Sequence, residues 1–309
     1  MTARKILPLL TEFHYVPEEH DTLEDFTLSP PEPGKPKLHF KLMKDDLTRS
    51  ILYLRGRADV LFNTLSLTKT NWMKAHGHTV LAAQGHHLAF LGFNYNDSTL
   101  KDVRVRRAIA LTLPLKDWVE YKFMNWVTLY PDAIQNPDLA EANRLLDEAG
   151  YPVKEDGYRF TLKYVTTPVR EGNEMAYLNR EALRKIGIEV KIKLLESSLF
   201  FAKLKSGDFQ LFGSVMLRNS EQDAVSDYLA KGSSRNYFHY ESPELQKRLE
   251  SNSKLSWGEV RDLVLRDIPL VPLYEWKHGL VLSDRMIYPP KIEETLDDSF
   301  RFLTSLQIK

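Results

Sequence analysis

The sequence predicts an α/β fold with mixed sheets flanked by helices, on three observations. Residues 38–62 read as strand, helix, strand. Residues 159–215 read as strand, helix, strand, helix, strand, the alternation that favours a largely parallel or mixed sheet. The chain has 309 residues, 43% hydrophobic and 27% charged. That is enough for one large domain or two ordinary ones, each with its own core, and it is not the composition of a disordered segment.

The elements follow in order. Residues 17–37 (PEEHDTLEDFTLSPPEPGKPK) are acidic and then Pro-rich, which predicts a surface connection. Leu38, Phe40 and Leu42 alternate with His39 and Lys41, so a half-buried strand starts there. Asp45 and Asp46 offer a cap for a helix that Gly56 ends. In it Leu47, Ile51 and Leu54, four and three apart, share one face. Residues 58–62 read as the next strand. At 91–107 (LGFNYNDSTLKDVRVRR) an apolar strand end meets Asn94, a polar turn, and a helix whose first turns carry Arg104, Arg106 and Arg107. Asp102 offsets this basic charge at a helix start. The arginines are expected on a solvated or salt-bridged helix face.

Asp138 and Glu141 form a capping box ahead of a helix with Ala142, Leu145, Leu146 and Ala149 on one face, ended by Gly150. Phe160, Leu162 and Tyr164 alternate as a strand. Met175, Leu178, Ala182 and Leu183 form a helical stripe closed by Gly187. Val190, Ile192 and Leu194 alternate again, and a short helix through Phe200 and Leu204 stops at Gly207. A strand over 209–215 follows. Further on, 257–267 reads as helix and Ile268–Tyr274 (IPLVPLY) as a buried strand entered from a turn.

Composition narrows the chemistry. Lys plus Arg and Asp plus Glu both number 42, so the net charge is zero and a globally basic nucleic-acid surface is not indicated. There is no cysteine, which removes disulfides, thiol nucleophiles and thiolate metal sites. No run approaches the ~20 apolar residues of a membrane span. His76, His78, His86 and His87 crowd together in KAHGHTVLAAQGHHLAF and could meet across a hairpin. Adjacent strand residues point to opposite faces, though, and no carboxylate is interleaved, so exposed histidines are expected and no metal site. Glu293, Glu294, Asp297 and Asp298 are expected on a solvated face. Phosphate-loop, nucleophile-elbow, dinucleotide and zinc-protease motifs are missing, so no catalytic residue, enzyme activity or cofactor is expected.

Several stretches together resemble one family. FKLMKDDLTRSILYLRGRADVLFN (40–63), LGFN followed by DVRVRRAIALTL (102–113), NPDLAEANRLLDEAGY (136–151), LRKIGIEVKI (183–192), LKSGDFQLF (204–212) and RDIPLVPLY (266–274) are similar, in order, to motifs of the extracytoplasmic solute-binding proteins of ABC importers, family 5, the oligopeptide, dipeptide and nickel type. The resemblance implies a periplasmic-binding-protein-like fold: a partial first lobe from 1–90 and 269–309, and a second lobe from 91–268 inserted between them. The family is normally longer, and its N-terminal region has no counterpart here. That implies a first lobe covered either by a second copy, as a homodimer, or by the missing N-terminal fragment.

The resemblance also implies a function: binding of a small peptide or other small solute by hinged closure, with delivery to an ABC permease. The alternative is a truncated relative repurposed as an interaction or sensor module. Localisation is periplasmic or cell-envelope by the resemblance. With no export signal read in the first residues, it is cytoplasmic if residue 1 is the natural start. Candidate ligand contacts are Asn94, Ser214, Arg218, Glu221, Asp223, Tyr274 and Trp276. Asn94 resembles the asparagine where the family's chain crosses between lobes, and it equally fits a turn residue satisfying its own backbone. Asp223 aligns loosely with the family's cleft acid. Core packing is the other reading of Trp276, and a surface position that of Arg218 and Asp223.

Overall fold

The computed structural model describes residues 9–18, 24–43, 45–168, 170–217, 228–252, 255, 257–296 and 300–309. The chain divides into two compact units: residues 1–85 with 277–309, and residues 86–276.

The first unit opens with an antiparallel sheet of β1 (Val16–Pro17), β2 (Asp25–Ser29) and β3 (Leu38–Lys41). Thus β1 and β2 fall partly or wholly inside the stretch expected to be a plain connection. Phe26 and Phe40 are register partners, and their rings stack at 4.9 Å. Helix α1 (Asp46–Leu54) is capped by Asp45, whose carboxylate accepts from the Thr48 N–H at 2.7 Å. Its buried residues are Ser50 and Tyr53. The Leu47, Ile51 and Leu54 face is exposed instead. Strand β4 (Val60–Phe62) and helix α2 (Leu67–Ala75) follow. Tyr53 packs with Leu61, Met73 and Val281, and its hydroxyl donates to the Leu282 carbonyl at 2.8 Å. The larger core gathers Phe62, Leu280, Leu282, Ile292, Phe302 and Leu303. A small antiparallel pair, β11 (Met286–Ile287) with β12 (Gln307–Ile308), ends the unit.

The chain passes into the second unit within β5 (Thr79–Phe93) and returns within β10 (Leu270–Leu282). Strand β5 is continuous, so the hairpin across which the histidines could have met does not form. His78 lies just before it, and the His76 ring stacks on Trp72 at 3.9 Å. Among the described residues no group of three His, Asp or Glu could hold a metal ion.

The second unit carries α3 (Val103–Thr112), β6 (Val127–Leu129), α4 (Leu139–Glu148), β7 (Phe160–Thr166), α5 (Arg170–Arg184), β8 (Ile188–Leu194), α6 (Ser197–Ser206), β9 (Leu211–Leu217), α7 (Pro243–Ser251) and α8 (Trp257–Asp267). Its strands lie in the order β10-β5-β9-β7-β8, with β6 on β10. β7 runs parallel to both β8 and β9, while β5 is antiparallel to β9 and β6 to β10. This is the mixed sheet that the alternating pattern predicts. Apolar Phe160, Leu162 and Tyr164 take register partners Ile188, Val190 and Ile192, so one face is packed and the other carries Lys163 and Lys191.

A buried guanidinium fixes the start of this layer. Arg159 donates to the Ile186 and Tyr151 carbonyls, the Asn143 amide oxygen and the Asp147 carboxylate. The end of α4, the start of β7 and the turn before β8 are thereby held at one point.

Candidate functional site

Two constellations in the second unit contain predicted residues. The first is at the exit of β5. Asn94 is buried, and its amide nitrogen donates to the carbonyls of Gly207 and Phe209 at 2.9 and 2.8 Å. Its side-chain oxygen accepts from the Asn96 N–H at 3.0 Å. The asparagine therefore closes its own turn and ties the end of β5 to the turn ahead of β9.

Arg106 lies beside it in the chain's logic. It is 3% exposed, and it donates to four main-chain oxygens: Leu100 at 2.5 Å, Lys101 at 2.9 Å, Asp267 at 2.5 Å and Ile268 at 3.0 Å. Its guanidinium lies 4.2 Å from the Tyr95 ring centre. Burial lowers the Arg106 pKa and raises that of the Tyr95 phenol. The expectation of a solvated arginine face is thus corrected at Arg106. Arg104 keeps to it in part, pairing with Asp102 at 2.6 Å. A cation that satisfies the carbonyls ending α8 must sit inward, and the D-x-R-V-R spacing, one residue in two, puts Arg104 and Arg106 on different sides of the helix.

The second constellation is aromatic. After α3 a helical turn (Leu115–Asp117) runs into a π-helical stretch, Trp118–Lys122. Met124 and Asn125 then adopt left-handed backbone, with φ of 50° and 63°. Two adjacent non-glycine residues in that region are costly and cluster at functional positions. They turn the chain into β6, which pairs with β10 in the register Tyr274↔Leu129 and Trp276↔Val127. Phe123, swung in by this turn, meets Tyr274 at 4.7 Å and Trp276 at 5.2 Å, and the last two rings are 5.7 Å apart, edge to face. Tyr274 is buried, Trp276 half-buried, and Tyr121 is 73% exposed. Lys122 lies 3.6 Å from the Glu174 carboxylate.

Tyr274 and Trp276 are therefore brought together, and Asn94 is placed in a separate network. Ser214 is half-buried on β9 opposite Phe90, and its hydroxyl has no partner among the described residues. Arg218, Glu221 and Asp223 lie outside the described residues. Sequence reasoning missed Phe123 and Tyr121, because neither a π-helix nor a left-handed Met-Asn pair has a sequence signature of its own.

A polar nest beneath β9 was also missed. The fully buried Tyr164 phenol, its pKa raised by burial, takes a hydrogen bond from the Asn179 amide at 3.2 Å. The Thr166 hydroxyl and the Asn179 carbonyl oxygen are buried with no hydrogen-bond partner among the described residues.

Comparison with known proteins places the chain. The profile of the bacterial extracellular solute-binding proteins, family 5, matches residues 14–237. The deoxycholate-binding periplasmic protein YgiS, so named as probable, of Escherichia coli K12 is 24% identical over 212 residues, 60% of this chain and 39% of its own. The oligopeptide-binding protein AppA of Bacillus subtilis is 22% identical over 239 residues, 64% of this chain and 43% of its own. The crystal structure of NikA from Brucella suis with Fe(III)-EDTA superposes with a TM-score of 0.82 at 18% identity, covering 96% of this chain and 68% of that one. The chain thus spans about two-fifths of these two curated relatives and shares the periplasmic-binding-protein fold with part of a longer structure.

Proposed function

Because the chain belongs to family 5 of the bacterial extracellular solute-binding proteins, we propose that it captures a small solute, a short peptide first among the candidates, for uptake through an ABC permease. The family match over residues 14–237 carries this reading. The relatives are binding proteins rather than enzymes, and no covalent chemistry is assigned to the solute. A peptide is favoured over a bile salt or metal chelate because the aromatic wall of Phe123, Tyr274 and Trp276 suits peptide side chains and backbone faces. In this reading Trp276 and Ser214 face the solute, Tyr274 braces Trp276, and Asn94 serves by fixing the strand end. Arg218, Glu221 and Asp223 supply charges for the peptide termini. Closure would turn on β5 and β10, the strands in which the chain crosses between units. The family is extracellular, and among the described residues no helix is long and apolar enough to cross a membrane.

Thermal unfolding of the full chain with a library of defined di- to pentapeptides tests this. A binder at a hundredfold excess over Kd adds about 2.7 kcal/mol of stability. Trp276→Ala is expected to lower affinity about tenfold, the loss of one aromatic contact of ~1.4 kcal/mol. No shift with any peptide would overturn the peptide reading. A second reading, an interaction module, is favoured by one observation: the exposed aliphatic row on α1.

A further inference from the structure

Helix α5 meets β7 through polar side chains that the fold leaves only partly bonded. Tyr164 and Asn179 are fully buried, and Thr166 is 1% exposed. The Asn179 amide nitrogen donates to the Tyr164 phenol oxygen at 3.2 Å. That bond uses one end of each group. The Asn179 amide oxygen and the Thr166 hydroxyl have no hydrogen-bond partner among the described residues. The phenol's own proton finds no acceptor among them either. Turning the amide over would only exchange which of its ends is left over.

The strand register brings these groups to one point. Tyr164 and Thr166, two apart, project from the same face of β7. β7 pairs with β9 as Tyr164↔Leu211 and Val165↔Phe212, so the next step sets Thr166 beside Gly213. A Cβ on Gly213 would fall 2.3 Å from the Tyr164 phenol oxygen and 2.4 Å from the Met175 Cε. The phenol oxygen therefore lies against Gly213, one strand spacing of about 4.8 Å from Thr166. Oxygens that far apart cannot bond directly, but one water spans them. We propose that an ordered water is built into this join, accepting from the Tyr164 and Thr166 hydroxyls and donating to the Asn179 amide oxygen. Three bonds are what a buried water ordinarily makes. The chemistry selects water over other occupants. The groups call for a donor and an acceptor at once, none of them carries a charge, and their burial admits only a small molecule. The water would tie β7 to α5 beside Gly213, one residue before Ser214. This goes beyond the import reading and does not rest on it.

A high-resolution crystal structure of the full, unaltered chain is expected to show a water within hydrogen-bond distance of Tyr164, Thr166 and Asn179. Urea unfolding of Thr166→Val gives an independent reading, because its sign depends on the occupant. Valine keeps the branched shape and removes the hydroxyl. Where that hydroxyl is bonded to water, its loss should raise the unfolding equilibrium constant about three- to tenfold. Where the site is dry, removing an orphaned hydroxyl should raise the urea midpoint instead. Tyr164→Phe should act in the same direction as the first case. The double variant should lose less than the two single losses combined, since both hydroxyls act through one water. Three results overturn the proposal. One is a crystal structure with no water at this point, or with an ion at metal–oxygen distances. Another is a urea midpoint raised by Thr166→Val. The third is a pair of single losses that simply add.

Discussion

Arg106 shows how a single charge can be structural. Its guanidinium satisfies carbonyls at both ends of a join between α3 and the exit of α8, at 3% exposure. Replacing it by methionine leaves those oxygens short of donors in a dry site. Arg106→Met is expected to cost about 3–5 kcal/mol in urea unfolding, while Arg107→Met, on an exposed position, costs little. Asp46 makes a different case. Its carboxylate is held at about pKa 2, first by the hydrogen bond from Lys69. The folded value lies below the ordinary 3.8, so the stabilisation is present above pH ~4 and fades as pH falls toward 2. Both partners are about a third exposed, so Asp46→Asn should lower stability by only about 1–2 kcal/mol at pH 7 and by almost nothing near pH 2.

At the scale of elements, strict alternation was readable wherever a strand has one packed face. β7 and β8 show it in Phe160, Leu162, Tyr164 and Ile188, Val190, Ile192. β5 hid itself because it crosses from one unit to the other, so its burial follows no single face, and its histidines and Gly85 resemble a turn. Helix α1 was readable as a helix but not in its orientation. Apolar residues at 47, 51, 52, 53 and 54 nearly encircle it, and period alone does not say which side meets the core. The aromatic wall was half visible. Tyr274 and Trp276 follow from the strand pattern, whereas Phe123 depends on backbone that no residue type announces. Close strand packing gives a further prediction. A Cβ on Gly92 would fall 2.3 Å from the Phe212 ring and 2.8 Å from that of Phe238. Rings packed on both sides cannot retreat, so Gly92→Ala is expected to destabilise by about 1–3 kcal/mol, read from the denaturation midpoint.

For the whole molecule, charge balance has a measurable result. With 42 basic and 42 acidic side chains and a pI near 7.1, long-range repulsion between copies vanishes at neutral pH. Light scattering should therefore show association greatest near pH 7 and falling on either side. The crossing strands have another consequence. β5 and β10 are hydrogen-bonded neighbours, so residues 86–276 leave and rejoin the rest of the polypeptide on adjacent strands, roughly 4.8 Å apart. A segment with its two ends side by side is portable: it can be excised, grafted into a host loop, or closed into a ring and reopened elsewhere with only a short splice.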